Sequence, residues 1–577
     1  MTKPPDQPPP DHLDRFNPAL LRLMPRDAQV VLEAGCSAGR LGAAYLPFNP
    51  TCRYIGIEVD PVAASMAQSR LGHVVEGDVE AVRREDLPLG PDEKVDVVVY
   101  GNVLEHLRAP SRLLESHAGW LADDGMVLAS ILNVQHWSIL AKLLNGQWPY
   151  QDEGLPDHGQ LRFFTLDTIR ELFTNAGLIV HDITPRPFTP KGFSDFQQAI
   201  EPTLAALNID SARFATQAGA LQYVVRAGRA RAPRRLCINA LTRKPIGGIN
   251  DVRINLPLQF QATIPGTQVS VQSASSKGIV FPPCPEGGQV LVWQRPILTR
   301  SQSTQILRQM IKKKTVLVVE FDDHPEPFSE IAAHDYLTFR AAHAIQTSTE
   351  PLAALLRQWN PEVAVFPNCV SDLPPPRLQR RSAADETVIF FGALNRENDW
   401  ASIMPALNAV LADMADLRVR VDVVHDRAFF DALITPHKRF TATCPYAQYL
   451  EQLRNADIAL LPLVDTAFNR VKSDLKFIEA GAQGTAVLAS PVVYGNTVQP
   501  GVTGLIYTST AAFAENLRAL ITSPDLRRRL ADAAYRYVAN ERLLSQHYRR
   551  RQEWYKHLLT NRVPLTAALR RRVTELF

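Results

Sequence analysis

The stretch VVLEAGCSAGRLGAAYL, residues 30–46, decides the fold of the first part of the chain. VVLEA is a short apolar run of the kind that forms a buried strand, and it enters a turn with Gly35 and Gly39 before the helix-like RLGAAYL. Without a Cβ, the two glycines let the backbone approach a ligand, and the N-terminus of the helix supplies unpaired N–H groups. A dinucleotide fingerprint wants Gly-x-Gly-x-x-Gly, and here Cys36, Ser37 and Ala38 separate Gly35 from Gly39, which disfavours NAD. GCSAG also fits a Gly-x-Ser-x-Gly nucleophile elbow with Ser37 as nucleophile, but such an elbow normally follows several strands and this one ends the first.

Outward from this turn, YIGIEV (54–59), VDVVVYG (95–101) and MVLASIL (126–132) read as further buried strands, separated by helical patterns such as PVAASMAQSRL and PSRLLESHAGWLA. The alternation predicts a parallel sheet covered on both faces, with LIVHDITP and LQYVVRAG added at one edge. Glu58 ends the second strand, where a carboxylate accepts hydrogen bonds from both ribose hydroxyls. Asp78 follows the next strand, in position to meet an adenine amino group, and Asn102, Glu105 and His106 stand at the mouth of the fourth.

Taken together, this series resembles the class I S-adenosylmethionine-dependent methyltransferases, especially those whose fourth strand ends in Leu-Glu-His-Leu. The resemblance covers about residues 14–230 and implies a Rossmann-like fold with S-adenosylmethionine as cofactor. It implies that Glu33, Gly35, Cys36, Gly39, Glu58, Asp78 and Asn102 line the cofactor pocket. NVQHWSILAKLLNGQWPY and GLPDHGQLRFFTLDTIRELFTNAGL are similar to the subset found beside glycan-assembly enzymes, which carries His before Leu-Arg-Phe-Phe-Thr; Gln160 stands there instead, with His158 two residues earlier. A sulfonium is already an activated methyl donor, so the protein mainly aligns the acceptor, and a sugar hydroxyl needs a base. His106 is the candidate base, with His136 and His158 as substitutes; a capping or packing role for His106 stays open.

AGRARAPRRL at 227–236 breaks the apolar patterning and reads as a linker. A second series then begins with LCINAL, QVLVW, TVLVVEF, HAIQTS and VAVFPN, pauses at the proline-rich SDLPPPRLQRRSAADE (371–386), and resumes with TVIFFGA, VRVDVVH, IALLPL, AVLAS and GLIY. Two successive α/β units predict two facing Rossmann-like lobes. RKPIGGINDVRINLPL (243–258) puts Gly247 and Gly248 in a tight turn. In RVKSDLKFIEAGAQGTAVLASPVVYGNTVQPGVTGLIY (470–507), Lys472, Lys476 and Glu479 are spaced four and three apart, which on a helix gives one shared face suited to a diphosphate beside a ribose. A solvated Lys–Glu ladder is the competing reading.

That segment, with FFGALNRENDW (390–400) and STEPLAALLRQWNPEVAVFPN (348–368), resembles retaining glycosyltransferases of the two-lobed GT-B fold over about 236–560. The resemblance implies a nucleotide-diphosphate sugar held by Gly248, Arg396, Lys472, Lys476 and Glu479, with Lys476 and Glu479 acting in catalysis. Many members carry a second Glu eight residues before the Glu479 equivalent; Val471 stands there. Asp322 and Asp323 in EFDDHP read as a strand-end loop rather than a metal site, because no further oxygen ligand recurs nearby.

With 577 residues, the chain exceeds a single core, and 46% hydrophobic with 21% charged residues is ordinary globular composition. The expected organisation is a disordered tail (1–12), a methyltransferase domain (13–230), an acceptor-side lobe (236–380), a donor-side lobe (385–545) and C-terminal helices (546–577), the first crossing back to the acceptor-side lobe. A formal charge of +3 gives no global field for nucleic acid. The six scattered cysteines, with no Cys-x-x-Cys pair, argue against a zinc site or a disulfide framework and for a reducing cytoplasm. YRRRQEWYKHLL (548–559) and LRRRVTELF (569–577) interleave basic and apolar residues; residues 565–577 are the candidate for peripheral contact with an anionic membrane. The expected function is bifunctional, methylation of a sugar hydroxyl together with sugar transfer to a glycan or lipid-linked acceptor. The alternative makes the GT-B half a non-catalytic glycan-binding module.

Overall fold

The computed structural model describes residues 15–148, 158–189, 192–231, 235–243, 248–273, 282, 284, 287–377 and 386–577. The tail at 1–12 and Gly247 lie outside them. The chain divides into two compact units, one of Met1–Arg234 with Ala262–Gly266 and one of Arg235–Gln261 with Thr267–Phe577.

In the first unit, β1 (Val30–Ala34), β2 (Arg53–Glu58), β3 (His73–Glu76), β4 (Val95–Gly101), β5 (Leu121–Leu132), β6 (Ile179–Pro187) and β7 (Ala220–Gly228) form one sheet in the order β3-β2-β1-β4-β5-β7-β6. The first five strands are parallel, and β7 runs antiparallel to both of its neighbours. Both faces are covered: Val31, Val97 and Val99 belong to one apolar cluster, while Leu32, Val98 and Tyr100 belong to another. This is why the strands read as continuous apolar runs rather than alternating ones. Local signals set the helices. Asp60 accepts from the Val62 and Ala63 amides to cap Pro61–Leu71, proline occupies the first turn, and Gly72 ends the helix in the left-handed conformation.

The second unit carries two six-stranded parallel sheets. The first contains β8 (Leu236–Thr242), β9 (Thr267–Ser273), β10 (Gly288–Gln294), β11 (Thr315–Glu320), β12 (Ala344–Thr347) and β13 (Val363–Val365) in the order β13-β12-β11-β10-β8-β9. The other contains β14 (Thr387–Gly392), β15 (Val419–Val424), β16 (Lys438–Thr441), β17 (Ile458–Leu461), β18 (Ala486–Ala489) and β19 (Leu505–Ile506) in the order β16-β15-β14-β17-β18-β19. Each is doubly wound, with alternate strand residues in separate clusters on its two faces, so this unit has the two Rossmann-like lobes of a GT-B fold. The edge strands β9 and β16 escape the sequence pattern because TQVSVQS and KRFT are half-polar, as strands with one neighbour can be.

The helix Leu544–Thr560 returns to the first lobe: Tyr555 and Leu558 join the cluster of Ile238, Val292 and Val318, and the Tyr555 hydroxyl donates to Gln346 at 2.7 Å. Leu569, Val573 and Leu576 complete the other cluster of the same lobe. Of the apolar side chains that would have rested residues 565–577 on a membrane, Leu569, Val573 and Leu576 therefore face inward, while Phe577 is exposed. Among the described residues, no helix is long and apolar enough to cross a membrane.

One cysteine expectation is overturned, since Cys237 and Cys284 form a disulfide. They are 47 residues apart in sequence, and it is the pairing of β8 with β10 that brings them together, which spacing alone does not reveal.

Candidate functional sites

In the first unit the glycine turn lies beyond the carboxyl end of β1. Gly35 and Gly39 adopt φ of +71° and +73°, and the Gly35 and Cys36 amides both donate to Ile57 O, at 2.9 and 3.0 Å. Glu58 holds the same turn: its carboxylate accepts from the amides of Ser37 at 2.7 Å and of Val59 and Asp60 at 3.0 Å. A cavity of about 310 Å³ opens over this turn, with Gly101 and Asn102 from the end of β4 as its second wall. Arg15, Asn17, Arg186 and Gln222 close it, and the last three are cross-linked: Arg186 donates to Asn17 Oδ1 at 2.9 Å and Gln222 Oε1 at 3.0 Å, while Gln222 donates to Asn102 Oδ1 at 3.1 Å.

The strongest electrostatic feature here is Glu33, at the end of β1. It lines the cavity, is 5% exposed, and accepts a hydrogen bond from the Tyr54 hydroxyl at 2.9 Å. Desolvation pushes its carboxyl up to about 8, against the Tyr54 hydrogen bond and aided by Glu58. A buried carboxyl in that state is poised to ionise when a cation arrives. Cys36 is packed against Gly56, and burial raises its thiol, so it is inert rather than nucleophilic.

Not every expected residue reaches the cavity. Gly35, Cys36, Glu33 and Asn102 line it, whereas Glu58 braces its floor and Asp78 is exposed, accepting from the Glu80 amide. His106 is exposed and outside the lining. The buried partner in its Leu-Glu-His-Leu segment is Glu105, whose carboxylate accepts from the Leu132 amide and whose carbonyl accepts from the Leu161 and Arg162 amides. His136 is buried with both ring nitrogens engaged, by Ser138 and by Phe188 O, and burial lowers its pKa. His158 is exposed. Sequence reasoning missed Arg15, Asn17, Arg186 and Gln222, which come from strands and segments whose pairing no local pattern encodes.

In the second unit, Glu479 lies on the helix Leu475–Gln483 and is 1% exposed. It accepts from the Tyr446 hydroxyl at 2.8 Å and from Lys476 Nζ at 3.2 Å. Lys476 also donates to the Tyr449 hydroxyl at 2.8 Å and sits over the Tyr449 ring; burial opposes its charge, but Glu479 and Tyr449 outweigh that and hold its ammonium above the usual lysine range. Gly248 approaches from the other lobe so closely that a Cβ there would collide with the Tyr446 ring. Tyr446 and Tyr449, three apart on one helix, went unnoticed in the sequence although their spacing puts them on one face.

Lys472 requires a correction. It precedes the helix rather than sharing a face with Lys476 and Glu479, and it points to Asp323 of the first lobe at 3.0 Å. The sequence spacing misled because a short helix ends at Arg470 and the next begins at Leu475. Lys472 and Arg396 instead flank the Phe468 ring, and burial, with Arg396 adding to it, outweighs Asp323 and lowers the Lys472 pKa. Val471 is buried in the first lobe's apolar cluster, and its carbonyl accepts from the Thr349 hydroxyl at 2.6 Å. Asp322 and Asp323 are bound by Arg295, and among the described residues no group of three or more potential metal ligands gathers anywhere.

Residues 32–127 match the family described as "Methyltransferase domain", and residues 406–554 match the one described as "Glycosyl transferase-like". The chain thus joins a region that matches a methyltransferase domain to one that matches a glycosyltransferase-like domain. The methyltransferase domain is 24% identical over 159 residues to a ubiquinone biosynthesis O-methyltransferase of Neisseria meningitidis serogroup C, an alignment covering 26% of this chain and 64% of that protein. It is 36% identical over 113 residues to a probable S-adenosylmethionine-dependent methyltransferase of Mycobacterium tuberculosis, covering 19% of this chain and 39% of the relative. The chain thus spans less than two thirds of the length of these relatives. The glycosyltransferase-like domain is similar to Anabaena Alr3699/HepE, solved in complex with UDP and glucose, at 14% identity with a TM-score of 0.40, covering 56% of this chain and 100% of the other.

Proposed function

We propose that the first domain transfers a methyl group from S-adenosylmethionine to a saccharide hydroxyl, and that the second transfers a sugar from a nucleotide-diphosphate donor to a glycan or lipid-linked acceptor. The observation that carries the first half is the buried Glu33 carboxyl facing the cavity over the Gly35–Gly39 turn. S-adenosylmethionine supplies an activated methyl group on a cationic sulfur, beside an ammonium, and a desolvated carboxyl complements such charge. The cations Arg15 and Arg40 at the rim suit the carboxylate of the same molecule. Glu58 fixes the turn, and the Arg186–Asn17–Gln222–Asn102 network holds the far wall where an acceptor enters. Of the expected bases, His106 alone combines solvent access with the mouth of β4; His136 has both nitrogens engaged.

For the second half, Glu479 serves a ribose hydroxyl pair and Lys476 neutralises the departing diphosphate, with Arg396 and Lys472 extending the cationic side. Tyr446 occupies Glu479 in this structure, so donor binding exchanges its hydroxyl for a ribose hydroxyl. Measuring S-adenosylmethionine binding together with release of nucleoside diphosphate from a panel of nucleotide sugars tests both halves in one preparation.

Val471 favours a second reading, in which the glycosyltransferase-like domain only holds a glycan for the methyltransferase, because an apolar cluster occupies the position of the second carboxylate. Glycan binding without turnover of any nucleotide sugar would select it.

A further inference from the structure

Within the second unit the chain passes between the lobes twice, and the two passages are bonded to each other. The Val370 amide donates to Arg542 O at 3.0 Å, and the Leu544 amide donates to Val370 O at 2.8 Å. Beside them lies a cavity of about 400 Å³, walled by Thr349 and Phe366 of the first lobe, Ser473 and Asn496 of the second, and Tyr548 and Arg551 of the returning helix. Of the residues assigned to the donor site, Lys472 borders this cavity, whereas Gly248, Arg396, Tyr446, Lys476 and Glu479 are not among its walls. Val493, on the rim, adopts φ 67° and ψ −54°, a γ-turn geometry that a β-branched residue rarely accepts.

The cavity's charge is one-sided. Arg470, Lys472, Arg542, Arg550 and Arg551 line it against two carboxylates, Asp474 and Glu541. Most of these charges are already matched: Arg470 with Asp465, Lys472 with Asp323, and Arg542 with Asp474 in a bidentate pair at 2.6 and 2.8 Å. Arg550, at the exposed rim, and Arg551 are the exceptions, and Arg551 is the buried one. Arg551 is 5% exposed, lies over the Phe366 ring at 4.8 Å, and donates one long hydrogen bond, 3.3 Å, to Arg253 O. No carboxylate pairs with it among the described residues, and the buried Glu320 is taken by Arg253 at 2.7 Å and Gln346 at 2.5 Å. Desolvation holds the Arg551 guanidinium below the usual arginine range. A buried cation without a counter-ion is costly, and the cavity beside this one gives a counter-ion room to enter.

We propose that this cavity binds a phosphorylated small molecule, with its phosphate against Arg551, separately from the donor site at Glu479. A guanidinium fork reads two oxygens of a phosphate at once, and the two unmatched cations, Arg550 and Arg551, suit a dianion better than a single carboxylate. The volume exceeds a bare ion and falls in the range of small-molecule sites, which leaves room for a sugar ring beside the phosphate. A ligand there touches both lobes and the returning helix, so its binding favours the lobe arrangement in which these walls meet. The inference concerns binding and holds whether or not either transfer reaction does.

The test is titration calorimetry on the full chain with inorganic phosphate, a hexose 1-phosphate and a nucleoside diphosphate. Saturable binding of the hexose phosphate is expected, weakened at least tenfold by Arg551→Gln and several-fold by Arg550→Glu, and unchanged in Glu479→Gln. Equal affinity for inorganic phosphate, with the same dependence on Arg551, would assign the site to the free ion as its phosphate source. Thermal melting checks that Arg551→Gln folds; if it does not, Arg550→Glu at the exposed rim decides. Affinity indifferent to these arginines, loss of binding in Glu479→Gln, or no saturable binding of any of the three probes overturns the proposal.

Discussion

Replacing Glu33 by Gln removes an ionisable group without changing the shape of the cavity wall. In the folded protein its carboxyl is pushed up from 4.5 to about 8, so between those values the native state keeps a proton that the unfolded chain has released. Stability then falls as pH rises, by about 1.4 kcal/mol per pH unit, because the unfolded state binds fewer protons. The contribution is intact at acid pH; by neutrality the loss amounts to about 3 kcal/mol, and above the folded value it levels off. Gln has no such dependence and still accepts from Tyr54. Denaturant unfolding of both proteins from pH 5 to 8 should show the variant gaining on the wild type steadily, up to about 3 kcal/mol. The difference between the curves isolates Glu33, since all other titrations cancel. The sign reverses for the cofactor. A cationic ligand favours the ionised carboxyl, so S-adenosylmethionine should bind the variant more weakly and, near pH 7, displace about one proton from the wild type and none from Glu33→Gln. Calorimetry in buffers of different ionisation enthalpy counts that proton. A flat stability difference together with equal proton release would refute the reasoning.

In Glu58→Ala the Ser37 amide loses its acceptor and the glycine turn its brace, so S-adenosylmethionine affinity should drop about ten- to a hundredfold, read by calorimetry. Gly248→Val drives a side chain into the Tyr446 ring; denaturant unfolding should show a loss of about 1–3 kcal/mol in the second unit, with the methyltransferase domain unaffected. The Lys476→Ala, Glu479→Gln double variant should lose radiolabelled sugar transfer while methyl transfer continues at the wild-type rate, and persistence of sugar transfer would place the donor site elsewhere. His106→Gln should lower methyl transfer at saturating cofactor without changing cofactor affinity; an unchanged rate removes it as the base.

Strands buried on both faces were the most legible part of the sequence. VVLEA and VDVVVYG match β1 and β4 residue for residue, because burial on both faces leaves an unbroken apolar run. The glycine turn was legible for a related reason, since positive φ at Gly35 and Gly39 limits which residues can stand there. What stayed hidden depends on distant pairing. Arg186 and Gln222 meet Asn17 only because β7 is inserted between β5 and β6, and Cys237 meets Cys284 only because β8 pairs with β10. Lys472 shows the opposite failure, a correct helical spacing applied across a break between two helices.

The returning C-terminal segment also bears on how the chain is made. The first lobe of the second unit ends its last strand at Val365, yet both of its apolar clusters include residues from Tyr555 to Leu576. During synthesis at about 5–20 residues per second, that lobe waits roughly 10–40 seconds for the residues that close it. Throughout that interval the faces of its sheet that receive Tyr555, Leu558, Leu569 and Val573 stand open, and they are the surfaces a chaperone would meet on the emerging chain.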